Sequence, residues 1–96
     1  MVDLTELAAD LSHKQWIGWM KHLFSKGTKR NDGAIVLPPG WVKRWERQMA
    51  TPYEDLCERD KEVDRAEGQK YVDLVMREML EAADNIDLGE LFDDII

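Results

Sequence analysis

The stretch Thr51–Leu80, TPYEDLCERDKEVDRAEGQKYVDLVMREML, decides the fold of this chain. Pro52 fixes its own φ and pushes Thr51 towards an extended conformation, so an earlier helix should end by about residue 50. Thr51 and Glu54 have the spacing of a capping box, with proline at the first helical position. These signals predict a short helical turn over 52–56 and a long helix that begins at about Cys57.

Apolar side chains recur at helical spacing along the rest of this stretch, with charged residues between them. They are Leu56, Val63, Tyr71, Leu74, Val75, Met79 and Leu80. The pattern predicts an amphipathic helix that continues to about residue 82. Gly68 is its one weak point, at a cost of about 1 kcal/mol relative to alanine in a helix interior.

The residues before this stretch predict two further helices. Apolar residues at helical spacing over 4–26, followed by Gly27, indicate a long first helix. Residues 28–33 have the composition of a turn, and the β-branched run 34–37 predicts an extended segment. A short helix follows at 41–49. The predicted fold is all-α: a small helical domain with two long helices, one short crossing helix and a short extended segment near 34–37.

The opening of the last helix resembles the ryanodine-receptor-type (RyR) repeat. The family pattern, Pro-Tyr-x-x-Leu and then an acidic-Lys-x-x-Asp-Arg helix start, is present as Pro52-Tyr53, Leu56, Asp60-Lys61 and Asp64-Arg65. A first helix with a tryptophan, here at Gln15-Trp16, is similar as well. The resemblance covers roughly residues 5–80 and is most specific at 52–65.

Three features depart from the family pattern. Cys57 stands where the family usually has Ser, Thr or Pro, and the insert 27–40 suits small free-standing phage members better than the channel repeats. The acidic tail has no family counterpart. The chain is therefore divided into an RyR-like helical domain at 1–84 and an acidic amphipathic tail at 85–96.

The resemblance also implies a function. Bacterial and phage relatives of this domain have been proposed to recognise nucleotide-derived signals in defence systems. A phage version would be a small non-enzymatic binding protein that recognises or sequesters such a signalling ligand of a host defence system.

Charge is unevenly distributed along the 96 residues, whose net charge is −7. Residues 1–52 carry eight Lys/Arg and five Asp/Glu, a net of +3, whereas residues 53–96 carry five and fifteen, a net of −10. This acidity argues against direct nucleic-acid binding, which requires neutralised phosphates. It favours an alternative function: an acidic protein-interaction module, or nucleic-acid mimic, that binds and inhibits a host protein.

Neither a membrane span nor a signal peptide is indicated by the apolar runs, so a cytoplasmic protein is predicted, in the host cytoplasm if a phage encodes it. The single cysteine, Cys57, excludes an internal disulfide and a multi-cysteine zinc site, and a half-buried thiol is expected. His13 and His22 lack the i,i+4 spacing of a helical metal pair. No catalytic motif is recognisable, so the chain is predicted to be neither an enzyme nor dependent on a cofactor.

The candidate ligand-binding residues combine aromatic rings with arginines in and after the short helix. They are Trp41, Arg44, Trp45, Arg47 and Tyr53. Arg forks capture phosphate groups, and indole or phenol rings stack on bases. The alternative is structural: the tryptophans fill the core, the basic residues form a solvated face, and Tyr53 secures the helix entry.

The tail supplies candidate residues for self-association. Large apolar groups stand at Leu88, Leu91, Phe92, Ile95 and Ile96. A frayed acidic tail would not need them, so they predict a homo-oligomer. The third functional hypothesis is accordingly a structural subunit of an oligomer.

Overall fold

The computed structural model describes residues 3–84, which form three helices and a small hairpin. In chain order these are α1 (Leu4–Lys26), β1 (Thr28–Lys29), β2 (Ile35–Val36), α2 (Pro39–Ala50), a 3₁₀ turn (Tyr53–Asp55) and α3 (Glu58–Asp84). The all-α prediction, with two long helices, a short one and an extended segment near 34–37, is confirmed. The proposed tail, residues 85–96, lies outside the described residues.

Helix α1 begins and ends where the sequence predicts. The Asp3 carboxylate accepts hydrogen bonds from the backbone N–H groups of Thr5 (2.9 Å) and Glu6 (3.4 Å), which satisfies donors that a helix start leaves free. At the other end the N–H of Gly27 donates to the carbonyl of Phe24, and the chain becomes extended.

The segment after α1 is a hairpin and not only a turn, so the prediction for residues 28–33 is corrected. Thr28 pairs with Val36 and Lys29 with Ile35 in antiparallel register. The N–H of Gly33 donates to the carbonyl of Arg30, and Gly33 has a φ of 89°. A tight turn closed by a residue with positive φ needs only three loop residues, so the residues before it are free to pair.

Thr51 closes α2 and does not open the next turn, which corrects the predicted capping box. Its hydroxyl donates to the carbonyl of Arg47 at 2.6 Å, and the 3₁₀ turn has no side-chain cap. The carbonyls at a helix end lack backbone partners and are the nearest acceptors for this hydroxyl. Pro52 then prevents α2 from continuing, as predicted.

Helices α1 and α3 meet through a polar contact centred on Tyr71. Its hydroxyl donates to Oε1 of Gln15 (2.9 Å) and lies 2.7 Å from the Ser12 hydroxyl. Gln15 also approaches Glu67, one turn earlier on α3. Contacts that advance along α1 therefore move backwards along α3, which shows that the two helices run antiparallel.

Very little of the described chain is enclosed. Leu74 is the one buried residue among 3–84, whereas Trp16 and Trp19 are 57% and 51% exposed. The expectation that the tryptophans fill a core is wrong for these two, because within residues 3–84 α2 covers only one end of α1 and no third layer closes over the helix pair. Cys57 is also exposed, where a half-buried thiol was expected. In residues 3–84 no helix is long and apolar enough to cross a membrane.

Candidate functional site

Four aromatic rings from α1 and α2 form one connected cluster, called here the indole cluster: Trp19, His22, Trp41 and Trp45. The His22 ring is central, with its centroid 5.7 Å from Trp19, 5.7 Å from Trp41 and 6.2 Å from Trp45. Each of these contacts is edge-to-face, the geometry that the ring quadrupoles favour. Trp41 and Trp45 lie 5.5 Å apart and are tilted by 40°.

Helical spacing brings these rings together. Residues three, four and seven apart lie on one face of a helix, and this places Trp19, His22 and Lys26 on one side of α1. Trp41 and Trp45 are four apart on α2. The hairpin between the helices reverses the chain, so the two faces meet.

Two cations approach the same indole ring. Lys26 Nζ lies 4.8 Å from the centroid of Trp41, and Arg44 Cζ lies 5.3 Å from it. Both distances are within the range of cation–π attraction. Lys26 makes no ion pair within the described residues, and Arg44 has only a long one, 4.0 Å, to Asp60. Positive charge is thus concentrated at the partly buried Trp41 ring, on a protein of net charge −7.

Asp60 connects this site to the first turn of α3. A hydrogen bond from Gln48 is the main reason that the pKa of Asp60 lies below its ordinary value, with smaller contributions from Cys57 and Arg44. Because Gln48 and Arg44 both belong to α2, the ionised carboxylate holds the end of α2 against the start of α3. Arg44 lies near both Asp60, at 4.0 Å, and the Trp41 ring, at 5.3 Å from its centroid.

The RyR-like residues at the helix entry contact one another. Lys61 Nζ lies 5.8 Å from the ring centroid of Tyr53, and Arg65 bonds Glu58 at 3.0 Å. The pKa of Arg65 is raised, first by Glu58 and then by Tyr53, and that of Glu58 is lowered by Arg65. The Tyr53 ring itself is 47% exposed. These contacts secure the junction between the 3₁₀ turn and α3.

The structure brings together three of the five residues predicted to bind a ligand. Trp41, Arg44 and Trp45 all belong to the indole cluster or contact it. Tyr53 contacts Lys61 and Arg65 instead. Arg47 is exposed and has no ring or ion-pair contact within the described residues.

Sequence reasoning missed three members of the site, all on α1: Trp19, His22 and Lys26. His22 is exposed, and its ring is the centre of the cluster. The spacing 19, 22, 26 is a helical signal that predicts a shared face. It could have been found in the sequence, although nothing in the sequence indicates that this face meets α2.

The indole cluster is an open surface and not an enclosed pocket. A shallow depression elsewhere is lined by Lys29, Arg30, Asn31 and Asp32 at the hairpin turn, without an aromatic side chain. Arg30 there is already paired with Asp32 at 2.8 Å. Within residues 3–84 no group of three His, Cys, Asp or Glu side chains is placed to hold a metal ion.

Three of the nine acidic residues of α3 form ion pairs within the helix. Arg65 pairs with Glu58, Lys70 with Glu67 at 2.9 Å and Arg77 with Glu78 at 3.8 Å. The pKa of Glu67 is lowered mainly by Lys70 and less by Gln15. These pairs offset only part of the helix's negative charge.

The predicted association residues Leu88, Leu91, Phe92, Ile95 and Ile96 lie outside the described residues. Comparison with known proteins adds no relative: no family model, no curated protein and no solved structure matches this chain.

Proposed function

We propose that this protein is a non-enzymatic binding module for a small anionic ligand with a flat ring, of the nucleotide-derived class. The observation that carries the proposal is the convergence of Lys26 and Arg44 on Trp41, at 4.8 Å and 5.3 Å from its ring centroid. An ammonium and a guanidinium beside one indole supply the two kinds of contact that a nucleotide requires, charge for phosphate and a ring for the base.

The roles of the residues follow from their surroundings. Arg44 is oriented by Asp60 and Trp41, so its fork is partly ordered before a ligand binds, which lowers the entropic cost of binding. Lys26 has a flexible stem and can move from the indole face onto a phosphate. Trp19 is half exposed and offers a ring for stacking, while His22 supports the three indoles from the centre.

The resemblance of residues 52–65 to the RyR repeat points to the same class of function. As a member of that family in a phage-type form, the protein would act in the host cytoplasm by sequestering a nucleotide-derived signal of a defence system. The alternative is an acidic mimic or inhibitor that binds a host protein. Three of the nine acidic residues of α3 are paired with basic residues of the same helix, which lowers the charge that such a surface would present.

The test is isothermal calorimetry with ADP-ribose, cyclic dinucleotides and mononucleotides, each titrated into the full chain. At least one should bind and quench tryptophan fluorescence. If none binds at millimolar concentration, the proposed function is wrong.

Two pairs of variants, each a test variant with its matched control, then locate the site. Lys26→Gln should weaken binding at least about tenfold, the effect of losing one charge-assisted hydrogen bond. Lys21→Gln, an exposed lysine on the same helix without a ring contact, should leave affinity unchanged. Arg44→Gln should weaken binding more than Arg47→Gln. Equal effects within either pair would place the ligand elsewhere.

A further inference from the structure

Helix α3 carries a second apolar face that nothing in the described chain covers. Its residues, called here the α3 stripe, are Val72, Val75, Met76, Met79 and Leu80, with exposed fractions from 42% to 62%. They follow the i, i+3, i+4, i+7 spacing of a buried helix face. Tyr71, which contacts α1, and Leu74, which is buried, lie on a different side of the helix.

Helix α1 has a corresponding free face. The α1 stripe consists of His13, Trp16, Ile17, Met20 and Phe24, again at helical spacing. The His13 and Trp16 rings stack at 5.8 Å, and Trp16 and Phe24 are each more than half exposed. Ser12 and Gln15, which bind Tyr71, lie about a third of a turn away from this stripe at 100° per residue.

Both stripes lie on the same side of the helix pair. Around the axis of each helix, the stripe lies about a third of a turn from the residues of the α1–α3 contact, in the direction in which residue numbers increase. The helices are antiparallel, so these rotations have opposite senses when both are viewed from one end. The two apolar faces therefore open towards a common partner.

The charges beside the stripes are complementary. On α1, Lys14 and Lys21 stand three residues before and four residues after Ile17 at the edge of the stripe, and Lys14 is paired with Asp10, whereas Lys26 lies on the indole-cluster face. From Tyr71 to Asp84, α3 carries four acidic residues and one arginine. Pairing α3 with a second α3 would oppose like charges, whereas pairing it with α1 brings opposite charges together.

We infer that the partner is a second copy of this chain, with the α3 stripe of each copy packed on the α1 stripe of the other. Each chain supplies one stripe with positive charge beside it and one with negative charge beside it, so a two-fold dimer forms both α1–α3 contacts between the copies at once. Such a dimer would enclose Trp16, Phe24 and the α3 methionines, and would add to the small core that residues 3–84 form by themselves. The inference does not depend on the proposed ligand.

Three methionine-to-glutamate variants of the full chain test the dimer by light scattering. Wild type should have twice the chain mass of 11.2 kDa. Met76→Glu and Met20→Glu, at the middle of the two stripes, should raise the dimer dissociation constant by about 100-fold or more, because an unpaired charge would enter an apolar contact. Met49→Glu is the matched control: Met49 is 80% exposed on α2, outside both stripes, and its variant should remain dimeric.

A second measurement identifies the pairing even if a stripe variant folds poorly. In a Cys57→Ser background, a tagged Met20→Cys chain and an untagged Met76→Cys chain are mixed and treated with a short bismaleimide. The expected product joins the tagged chain to the untagged one. A Met76→Cys chain that instead cross-links to itself would overturn the pairing. A monomeric wild type, or a dimer that survives both stripe variants, would overturn the dimer surface.

Discussion

Replacing Tyr71 with phenylalanine removes one oxygen atom from the contact between α1 and α3. That oxygen takes part in two hydrogen bonds, one donated to Gln15 at 2.9 Å and one shared with Ser12 at 2.7 Å. Tyrosine has a single O–H and gives it to Gln15, so the Ser12 hydroxyl is the donor in the second bond. The substitution keeps the ring and its packing, and changes only these two bonds.

The expected loss follows from the surroundings of each partner. Ser12 is exposed and regains a bond with water, whereas Gln15 is partly buried and its Nε2 already lacks a partner of ordinary geometry. A net intramolecular hydrogen bond contributes about 0.5–1.5 kcal/mol, and an acceptor left unpaired adds to the cost, so we expect a loss of about 1–2 kcal/mol. In a chain of this size that lowers the melting temperature by roughly 5–15 °C.

The measurement is urea unfolding followed by circular dichroism at 222 nm (the helical signal), with all variants at one protein concentration because association also stabilises the folded state. Tyr53→Phe is the matched control: it removes the same atom from a half-exposed ring, so it should change stability by less than about 0.5 kcal/mol. If Tyr71→Phe unfolds like wild type, or if both variants lose the same amount, the α1–α3 contact does not depend on this hydroxyl.

Three further changes have expected outcomes. Gly27→Ala should destabilise the fold by about 1–3 kcal/mol, because a Cβ there would lie 2.5 Å from Ile35 Cγ1. Gly18→Ala is the matched control: Gly18 lies in a helix interior, a Cβ there would meet no atom within 4 Å, and the variant should stabilise the fold by about 0.5–1 kcal/mol. Equal melting temperatures of the two variants would contradict the close contact at Gly27. Tyr53→Ala should cost less than the about 3–5 kcal/mol of a buried aromatic, since the ring is 47% exposed; a larger loss in thermal unfolding would show that the ring is enclosed in solution. Asp60→Asn should reduce the stability that the protein loses between pH 5 and pH 2. The pKa of Asp60 in the folded state lies below the ordinary 3.8, so its carboxylate stabilises the fold above pH 3.8, and this stabilisation disappears as the pH falls through the folded-state pKa. If the variant loses as much stability as wild type between pH 5 and pH 2, Asp60 does not stabilise the fold in this way.

Local signals in the sequence were enough to define the elements. Asp3 before an apolar-periodic run and Gly27 after it fix α1 at both ends, and Pro52 ends α2, because capping bonds and proline sterics act within a few residues. The hairpin was only half predicted. Thr28 and Lys29 have no apolar alternation of their own and become a strand only because β2 offers them backbone partners.

The site was predicted in part for the same reason. Trp41, Arg44 and Trp45 share one short helix, so their proximity could be deduced from spacing. Trp19, His22 and Lys26 share a face of α1, but that face becomes part of the site only when the hairpin turns α2 back onto it. The contact of Lys26 with Trp41 joins residues fifteen positions apart on two different helices, which helical periodicity cannot specify.

Burial was decided by the tertiary structure alone. The sequence determined that α1 and α3 are amphipathic, because apolar periodicity is a property of each helix by itself. Which apolar side chains are covered depends on how many layers pack together, and in the described residues two helices and a short third one leave Trp16, Trp19 and the α3 stripe open. A hydrophobic pattern specifies that a face must be covered, whereas only the packing of the helices shows which side of each helix is covered within residues 3–84.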